Sequence, residues 1–374
     1  MSSVLDPSVF GRRLERAASL AAGAGLAGLL VTPGADLRYL VGSEAESFER
    51  LTCLVIPADG RPASLVVPHL ELGAWRTGAV TTLGLPVLDW IDGADPYALV
   101  LDALGTPATA AVTDAMPALH LIPLNTRLAA PAVSATPLLS QLWMRKDESE
   151  IAQLREAGAA IDRVHAGMAR WLRAGRTERE VGADIASAIV AEGHARADFV
   201  IVGSGPNGAD PHHEVSDRVI NNGDIVVVDI GGPLPSGYNS DCTRTYSIGA
   251  PDPAIAAQIA ALEEAQASAV AAVRPGISAE AIDARARESL RRAGLEEFFT
   301  HRTGHGIGLS VHEAPYIVAG NTLAVEPGMA FSVEPGIYHA GEWGARIEDI
   351  VVVTADGCER LNNQPHGLTV LPAT

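Results

Sequence analysis

Cysteine is scarce in this sequence. Cys53, Cys242 and Cys358 are odd in number, far apart, and fall in no CxxC or zinc-knuckle spacing. They build no disulfide framework and point to a reducing compartment. Equally absent is any run near the ~20 apolar residues that a bilayer-spanning helix needs. The stretch Ala17 to Val31 follows Arg12-Arg13 much as a signal peptide would. Its glycine and polar interruptions, and Pro33-Gly34 beyond it, fit better with a helix leading into a strand, Gly28 to Thr32, and the expected location is cytoplasmic. Positive charge is also in deficit: 27 Lys and Arg stand against 45 Asp and Glu, for a formal charge of -18 and a pI near 5.0. Nucleic acid and anionic membranes are therefore not expected as partners.

What is present suits two hydrophobic cores better than one, with 374 residues of which 47% are hydrophobic. Residues 1 to about 140 alternate short apolar runs with helical stretches. Leu51 to Pro57, Ala63 to Pro68 and Ala110 to Asp114 read as strands, and Pro96 to Leu104 as a helix, which indicates an α/β domain. From Asp147 the texture changes. Ile151, Leu154, Ile161, Val164, Met168 and Trp171 recur at helical spacing, and Gly175 is expected to stop that helix. The boundary is placed near Trp143 to Asp147.

The second part repeats itself. Gly175, Thr177, Val181 and Gly193 recur as Gly276, Ser278, Ile282 and Gly294, each pair 101 residues apart. Each half reads as a long helix, a glycine turn, a Thr or Ser helix cap and a shorter amphipathic helix. The strands follow the same scheme, with GDIVVVDIG (223–231) lying against GMAFSVEPG (328–336). Asp229 therefore matches Glu334. Each acid is followed by a turn and a second carboxylate, Asp241 after 12 residues and Glu348 after 14. Two pseudo-symmetric hairpins are thus expected to deliver four carboxylates to one centre.

Four converging carboxylates repel one another, and without cations several would have to be protonated at neutral pH. No matching set of lysines or arginines lies nearby in the sequence, so divalent cations are the natural partners. Thr303-Gly-His305-Gly suggests a further ligand, because flanking glycines permit close approach. His312, seven residues on, leaves a second imidazole for substrate. His212-His213 follow a loop rich in turn formers, and either could face the site. An oxygen-rich, one-imidazole, thiolate-free set favours manganese or cobalt, with zinc or iron as further candidates. Tyr238 and Tyr338 are candidates for site hydrogen bonds or for core packing, and Cys242 for a small buried residue.

The motifs GDIVVVDIGG, GYNSDCTRT, TGHGIGLSVHEAP, SVEPGIY and GARIEDIV resemble those of the metallopeptidases with the pita-bread fold, the group containing methionine aminopeptidase, aminopeptidase P and prolidase. The N-terminal part is similar to the creatinase-type domain of the proline-specific members. The resemblance implies an α/β creatinase-like domain over residues 1–142, followed over 143–374 by an α+β pita-bread domain with an internal pseudo-twofold repeat. It implies two divalent metal ions, Mn2+ foremost. Asp229 would chelate one ion, Asp241 and Glu348 would bridge, and His305 with Glu334 would complete the other. A metal-bridging hydroxide would attack the Xaa-Pro bond at the N-terminus of a peptide. His212 and His312 would polarise the carbonyl or bind the tetrahedral intermediate, Glu334 would carry the proton, and Arg346 would orient the carboxylates. A homodimer acting on short proline-containing peptides is the family expectation.

Two departures from the family pattern stand out. The loop from Asp229 to Asp241, with Pro233 and Pro235, is one residue longer than expected. Tyr316 occupies the place, four residues after His312, where some dipeptidase-type prolidases carry an arginine suited to a substrate carboxylate. The competing readings are a prolidase restricted to Xaa-Pro dipeptides, a same-fold hydrolase of a small non-peptide amide (ectoine-hydrolase-like or creatinase-like), and a non-catalytic peptide-binding module.

Overall fold

The apolar runs of the first third of the chain pair into a six-stranded mixed sheet in a computed structural model that describes residues 7–46, 49–75, 78–105 and 108–373. Gly28–Val31, Cys53–Pro57 and Ser64–Pro68 form an antiparallel centre, flanked by parallel Ala111–Val112 and Val87–Trp90. Gly28–Val31, Cys53–Pro57, Ser64–Pro68 and Ala111–Val112 are the expected strands, shortened at one or both ends, whereas Val87–Trp90 is a strand beyond those expected. The helix Pro96–Leu104 falls where proline and glycine predict it: Asp95 accepts from the N–H groups of Tyr97 and Ala98, Pro96 opens the first turn, and Gly105 closes the helix at φ 79°. Val100 and Leu104 of that helix pack with Leu30, Val55 and Val66 in one core. The chain divides into two compact units between Trp143 and Met144. Among the described residues no helix is long and apolar enough to cross a membrane.

In the second unit each half is a sheet backed by helices. Val181, Ile185 and Ile189 of the helix Glu178–Ala191 cover Val226, Val228 and Ile230. In the other half, Ile282, Ala286 and Leu290 of the helix Ala279–Arg292 share a core with Phe331, Val333, Val351 and Val353. The two helices have the same length of 14 residues. The turns that precede them are alike too, since Gly175 N–H donates to Ile220 and Gly276 N–H to Val325, with φ 84° and 86° at the two glycines.

Two expectations are corrected. The helix that begins at Glu148 ends at Ala166, not at Gly175. Gly167 follows it, and a Cβ there would lie 3.0 Å from the ring of Trp171, so the indole folds back closely over this glycine. A 3-10 turn, Met168–Arg170, keeps Met168 and Leu172 buried and so continues the apolar spacing beyond the α-helix. The second correction concerns the caps. Thr177 forms a capping box with Glu180, whereas Ser278 occupies the cap position without a side-chain bond.

The helix Glu148–Ala166 also meets the C-terminal segment closely. A Cβ on Gly158 would fall 2.6 Å from the carbonyl oxygen of Leu361. Gly158→Ala gains about 1 kcal/mol of helix propensity, but displacing a backbone carbonyl in a packed interior costs about 1–3 kcal/mol. We expect a lower midpoint in thermal or urea unfolding. Gly357→Ala, where nothing lies within 4 Å, should stay within about 0.5 kcal/mol of wild type. Equal stability of the two variants would contradict this packing.

Candidate metal centre and active-site cavity

Strand alternation decides which side chains reach the site. In the strand Ile225–Pro233, Val226, Val228 and Ile230 point into the helix-backed core, so Asp229 must face the other way. In the partner strand Asn239–Ile248, Cys242, Tyr246 and Ile248 are the core residues, which turns Asp241, Thr243 and Thr245 to the face that carries Asp229. Pairing sets Asp241 opposite Gly231. A side chain at 231 would meet Ser240 O at 2.3 Å and the Phe199 ring at 2.4 Å, so glycine is required there.

The other half differs from a simple hairpin. Ala330–Val333 pairs with Asp349–Val353, and Glu334 and Glu348 stand just past one strand and just before the other. A two-stranded ribbon, Gly336–His339 with Trp343–Arg346, is inserted between them. The halves join where Glu348 N–H donates to Thr243 O and the buried Arg244 guanidinium holds Glu348 O at 2.6 Å.

A cavity of about 740 Å3 opens on this junction, and Asp229, Asp241, His305, Glu334, Arg346 and Glu348 all line it. His212 and His312, both exposed at its edge, line it as well. His213 does not share that wall: its Nε2 lies 2.7 Å from Glu178.

The carboxylates are held in a common manner. Thr243 Oγ1 donates to Glu348 Oε2 at 2.7 Å, and Arg346 Nη2 donates to Asp229 Oδ2 at 2.6 Å. Among the described residues, the remaining buried oxygens, Asp229 Oδ1 and Glu348 Oε1, have no hydrogen-bond partner. Ser332 Oγ donates to Glu334 Oε1 at 3.0 Å. Asp241, His305 and Glu348 offer ligand atoms within 4.8 Å of one another. His305 Nδ1 lies 3.1 Å from Gly306 O, an acceptor only, so the proton sits on Nδ1 and Nε2 is turned to Glu334 at 3.2 Å and Asp241 at 3.6 Å. The flanking glycines give this histidine its place: a Cβ at 304 would meet Ser332 O at 1.9 Å, and one at 306 would meet Ala314 O at 2.2 Å.

The electrostatics match this crowding. Burial first, and then the neighbouring acids, push Asp241 and Glu348 well above the usual carboxylate range. Burial would also raise Glu334, but the imidazoles of His305 and His301 beside it draw it below the ordinary carboxylate range. Burial and the charges of His305 and Arg302 hold His312 below the ordinary imidazole value. Bare buried oxygens, a lone-pair nitrogen turned toward them, and carboxylates forced together suit divalent cations in all respects.

Several contributors carry no motif of their own. Tyr338 hydroxyl accepts from Arg346 Nη1 at 2.7 Å and donates to His301 Nε2 at 2.9 Å, which settles its role as a site hydrogen-bonding group. Tyr238 instead donates to Glu150. His301 and Arg302 line the cavity directly before the Thr-Gly-His run, and that adjacency was the available signal. Glu178, fully buried, accepts from Ser204, Asn207, His213 and Ser216, and so fixes the loop that presents Pro211 and His212. No spacing rule points to it.

Residues 152–355 match the profile of Metallopeptidase family M24, and residues 13–140 that of the Creatinase/Prolidase N-terminal domain. The chain is 60% identical to the probable dipeptidase PepE of Mycobacterium tuberculosis over 370 residues, 99% of this chain and 98% of that one. It is 33% identical to the Xaa-Pro dipeptidase of Lactobacillus helveticus over 351 residues, 90% of this chain and 92% of the other. The crystal structure of dipeptidase PepE from Mycobacterium ulcerans superimposes with a TM-score of 0.95 at 60% identity, covering 98% of this chain and 99% of that one. The architecture is thus a creatinase-type N-terminal domain followed by a pita-bread domain.

The Glu178 loop can be tested separately. Burial pushes the Glu178 carboxyl up, but bonds from Ser216, Ser204 and His213 outweigh it and leave it below the ordinary range. Its contribution is therefore present above about pH 4.5 and is lost as pH falls through the lower folded value. Glu178→Gln replaces an acceptor with a donor and leaves buried donors unmatched, at about 1–3 kcal/mol. Urea unfolding should show that loss at neutral pH and convergence with wild type in acid, and KM should rise as the His212 segment loosens. Equal stability at pH 7 would contradict the assignment.

Proposed function

The chain belongs to metallopeptidase family M24, and on that premise we propose that it hydrolyses the Xaa-Pro bond at the N-terminus of short peptides with two divalent cations held by Asp229, Asp241, His305, Glu334 and Glu348. The observation that carries this reading is the pair of buried oxygens, Asp229 Oδ1 and Glu348 Oε1, left bare while the sister oxygen of each is tied down. Proline specificity draws support from the Xaa-Pro dipeptidase among the relatives. When bound, such cations neutralise the carboxylates and supply a nucleophilic hydroxide at neutral pH.

The chain's own groups do the rest. Arg346 and Thr243 fix the angle of Asp229 and Glu348, so that the ligand set is preorganised. Glu334, on the cavity wall beside the other acids, would accept a proton from the attacking water and pass it to the leaving nitrogen. His212 and His312, at the edge of the cavity, bind the carbonyl oxygen as negative charge develops. Manganese as the metal, a homodimer and a cytoplasmic location belong to the same proposal.

The test uses metal-stripped enzyme with matched Xaa-Pro and Xaa-Pro-Yaa peptides, before and after addition of manganese, cobalt or zinc. Activity should return with metal. Asp241→Asn should lose bound metal, measured by elemental analysis, and at least about 100-fold in kcat/KM. His312→Ala should keep its metal while kcat falls by roughly 100-fold. Full metal content and full activity in Asp241→Asn would sink the ligand assignment, and no cleavage of any proline peptide by metal-loaded wild type would sink the proposed activity.

A further inference from the structure

Of the 27 Lys and Arg in this chain only one is a lysine, Lys146, and it is buried. Everywhere else the cation is arginine, so this position asks for something that a guanidinium does not give. An ammonium is a compact point charge, whereas a guanidinium is broad and planar. Lys146 Nζ donates to Glu313 Oε1, with 1% of the lysine side chain and 8% of the glutamate exposed. The lysine itself is firmly placed: its N–H donates to Gly328 O at 2.8 Å, and the next residue, Asp147, caps the helix Glu148–Ala166. The space around Glu313 is narrow, since a Cβ on Gly308 would meet its Oε1 at 2.9 Å and its Oε2 at 3.1 Å. Burial pushes the Glu313 carboxyl up, and Lys146 together with the Ser310 N–H opposes that rise.

Glu313 directly follows His312 and opens the strand Glu313–Ile317, which pairs with Gly304–Gly306, the strand of His305. Residues 307–312 are thus the loop between the two histidines. Successive side chains of an extended segment point to opposite faces, so Glu313 reaches inward while His312 stands exposed at the cavity edge. The Glu313 carboxylate grips the loop from within, over Gly308 and at the Ser310 N–H. From the other side Asn239, two residues before Asp241, donates to Gly308 O through its N–H and its Nδ2, both at 3.0 Å. We propose that Lys146 and Glu313 are positioning residues for the reaction: their buried pair clamps the 307–312 loop and so sets where His312 stands relative to His305, whose ring it meets edge to face with 4.2 Å between centres. This rests on the proposed Xaa-Pro hydrolysis, in which His312 binds the carbonyl oxygen. A charged pair suits the task, because displacing either partner leaves an uncompensated buried charge. The arrangement that satisfies both is narrow, and the loop is confined with it.

The experiment is a double-mutant cycle on manganese-loaded enzyme with an Xaa-Pro peptide, joined to crystal structures of the variants. Lys146→Arg keeps the charge but exceeds the space, and Glu313→Gln keeps the shape but removes the charge. Each should hold metal as wild type does, by elemental analysis, while kcat falls about 10-fold and KM moves by less than about twofold. In a His312→Ala background neither change should lower kcat further. The crystal structures should show the 307–312 loop and His312 displaced, with Gly304–Gly306 in place. A loss of the same size with and without His312 is what a general structural role predicts, and it would overturn the inference. Wild-type kcat in either variant, or an unmoved loop, would overturn it too. Should Lys146→Arg fail to fold, Glu313→Gln alone carries the cycle. If metal-loaded wild type cleaves no Xaa-Pro peptide, the underlying activity falls, and the displacement of His312 in the crystal structures decides the positioning by itself.

Discussion

The mutual repulsion of four carboxylates in one largely buried wall governs the rest of this structure. Two such charges about 4 Å apart cost about 4 kcal/mol even at an effective dielectric constant of 20, and desolvation adds several more for each. The strands that carry them offset this on their opposite faces. Val226, Val228 and Ile230 behind Asp229, and Phe331 and Val333 before Glu334, are fully buried, and each such side chain contributes about 1.5–3 kcal/mol. The acids are therefore not placed where they would relax. The sheet places them, and the helices behind it resist their separation.

Restraint of orientation follows the same economy in both halves. Each acid that is tied down gives one oxygen to a protein donor: Thr243 for Glu348, Arg346 for Asp229, Ser332 for Glu334. The donors are themselves bonded to one another, since Arg346 Nε reaches Thr243 Oγ1 and the Arg346 N–H reaches Thr245 Oγ1. Further out, a buried acid on each short helix holds a histidine-bearing segment. Glu178 grips the loop before His212, and Asp283 takes the N–H and hydroxyl of Thr303, two residues before His305.

How much of this was legible from sequence depends on the range of the interaction. Period-two alternation around Asp229 and Asp241, glycines beside His305 and the 101-residue repeat are local or self-referential, so the hairpin, the helix pair and the convergence of acids could be read directly. The inserted ribbon between Glu334 and Glu348 could not, because a spacing of 14 residues fits a plain hairpin as well as a split one. The end of the first long helix was misplaced because Met168 and Trp171 keep a helical spacing through a 3-10 turn. Glu178 was invisible because its role rests on donors 26 to 38 residues away.

The pseudo-twofold relation between the halves has a consequence for how they can differ. Each half contributes one strand acid and one return acid, and each braces its own segment with its own short helix. Two copies of one half about a twofold axis would likewise bring four acids together, although the ribbon Gly336–His339/Trp343–Arg346 and the tether from Arg346 to Asp229 belong to one half alone. Because both halves lie in one chain they are free to differ, and the second carries the histidine ligand candidate, His305, while the first offers Asp229 and Asp241.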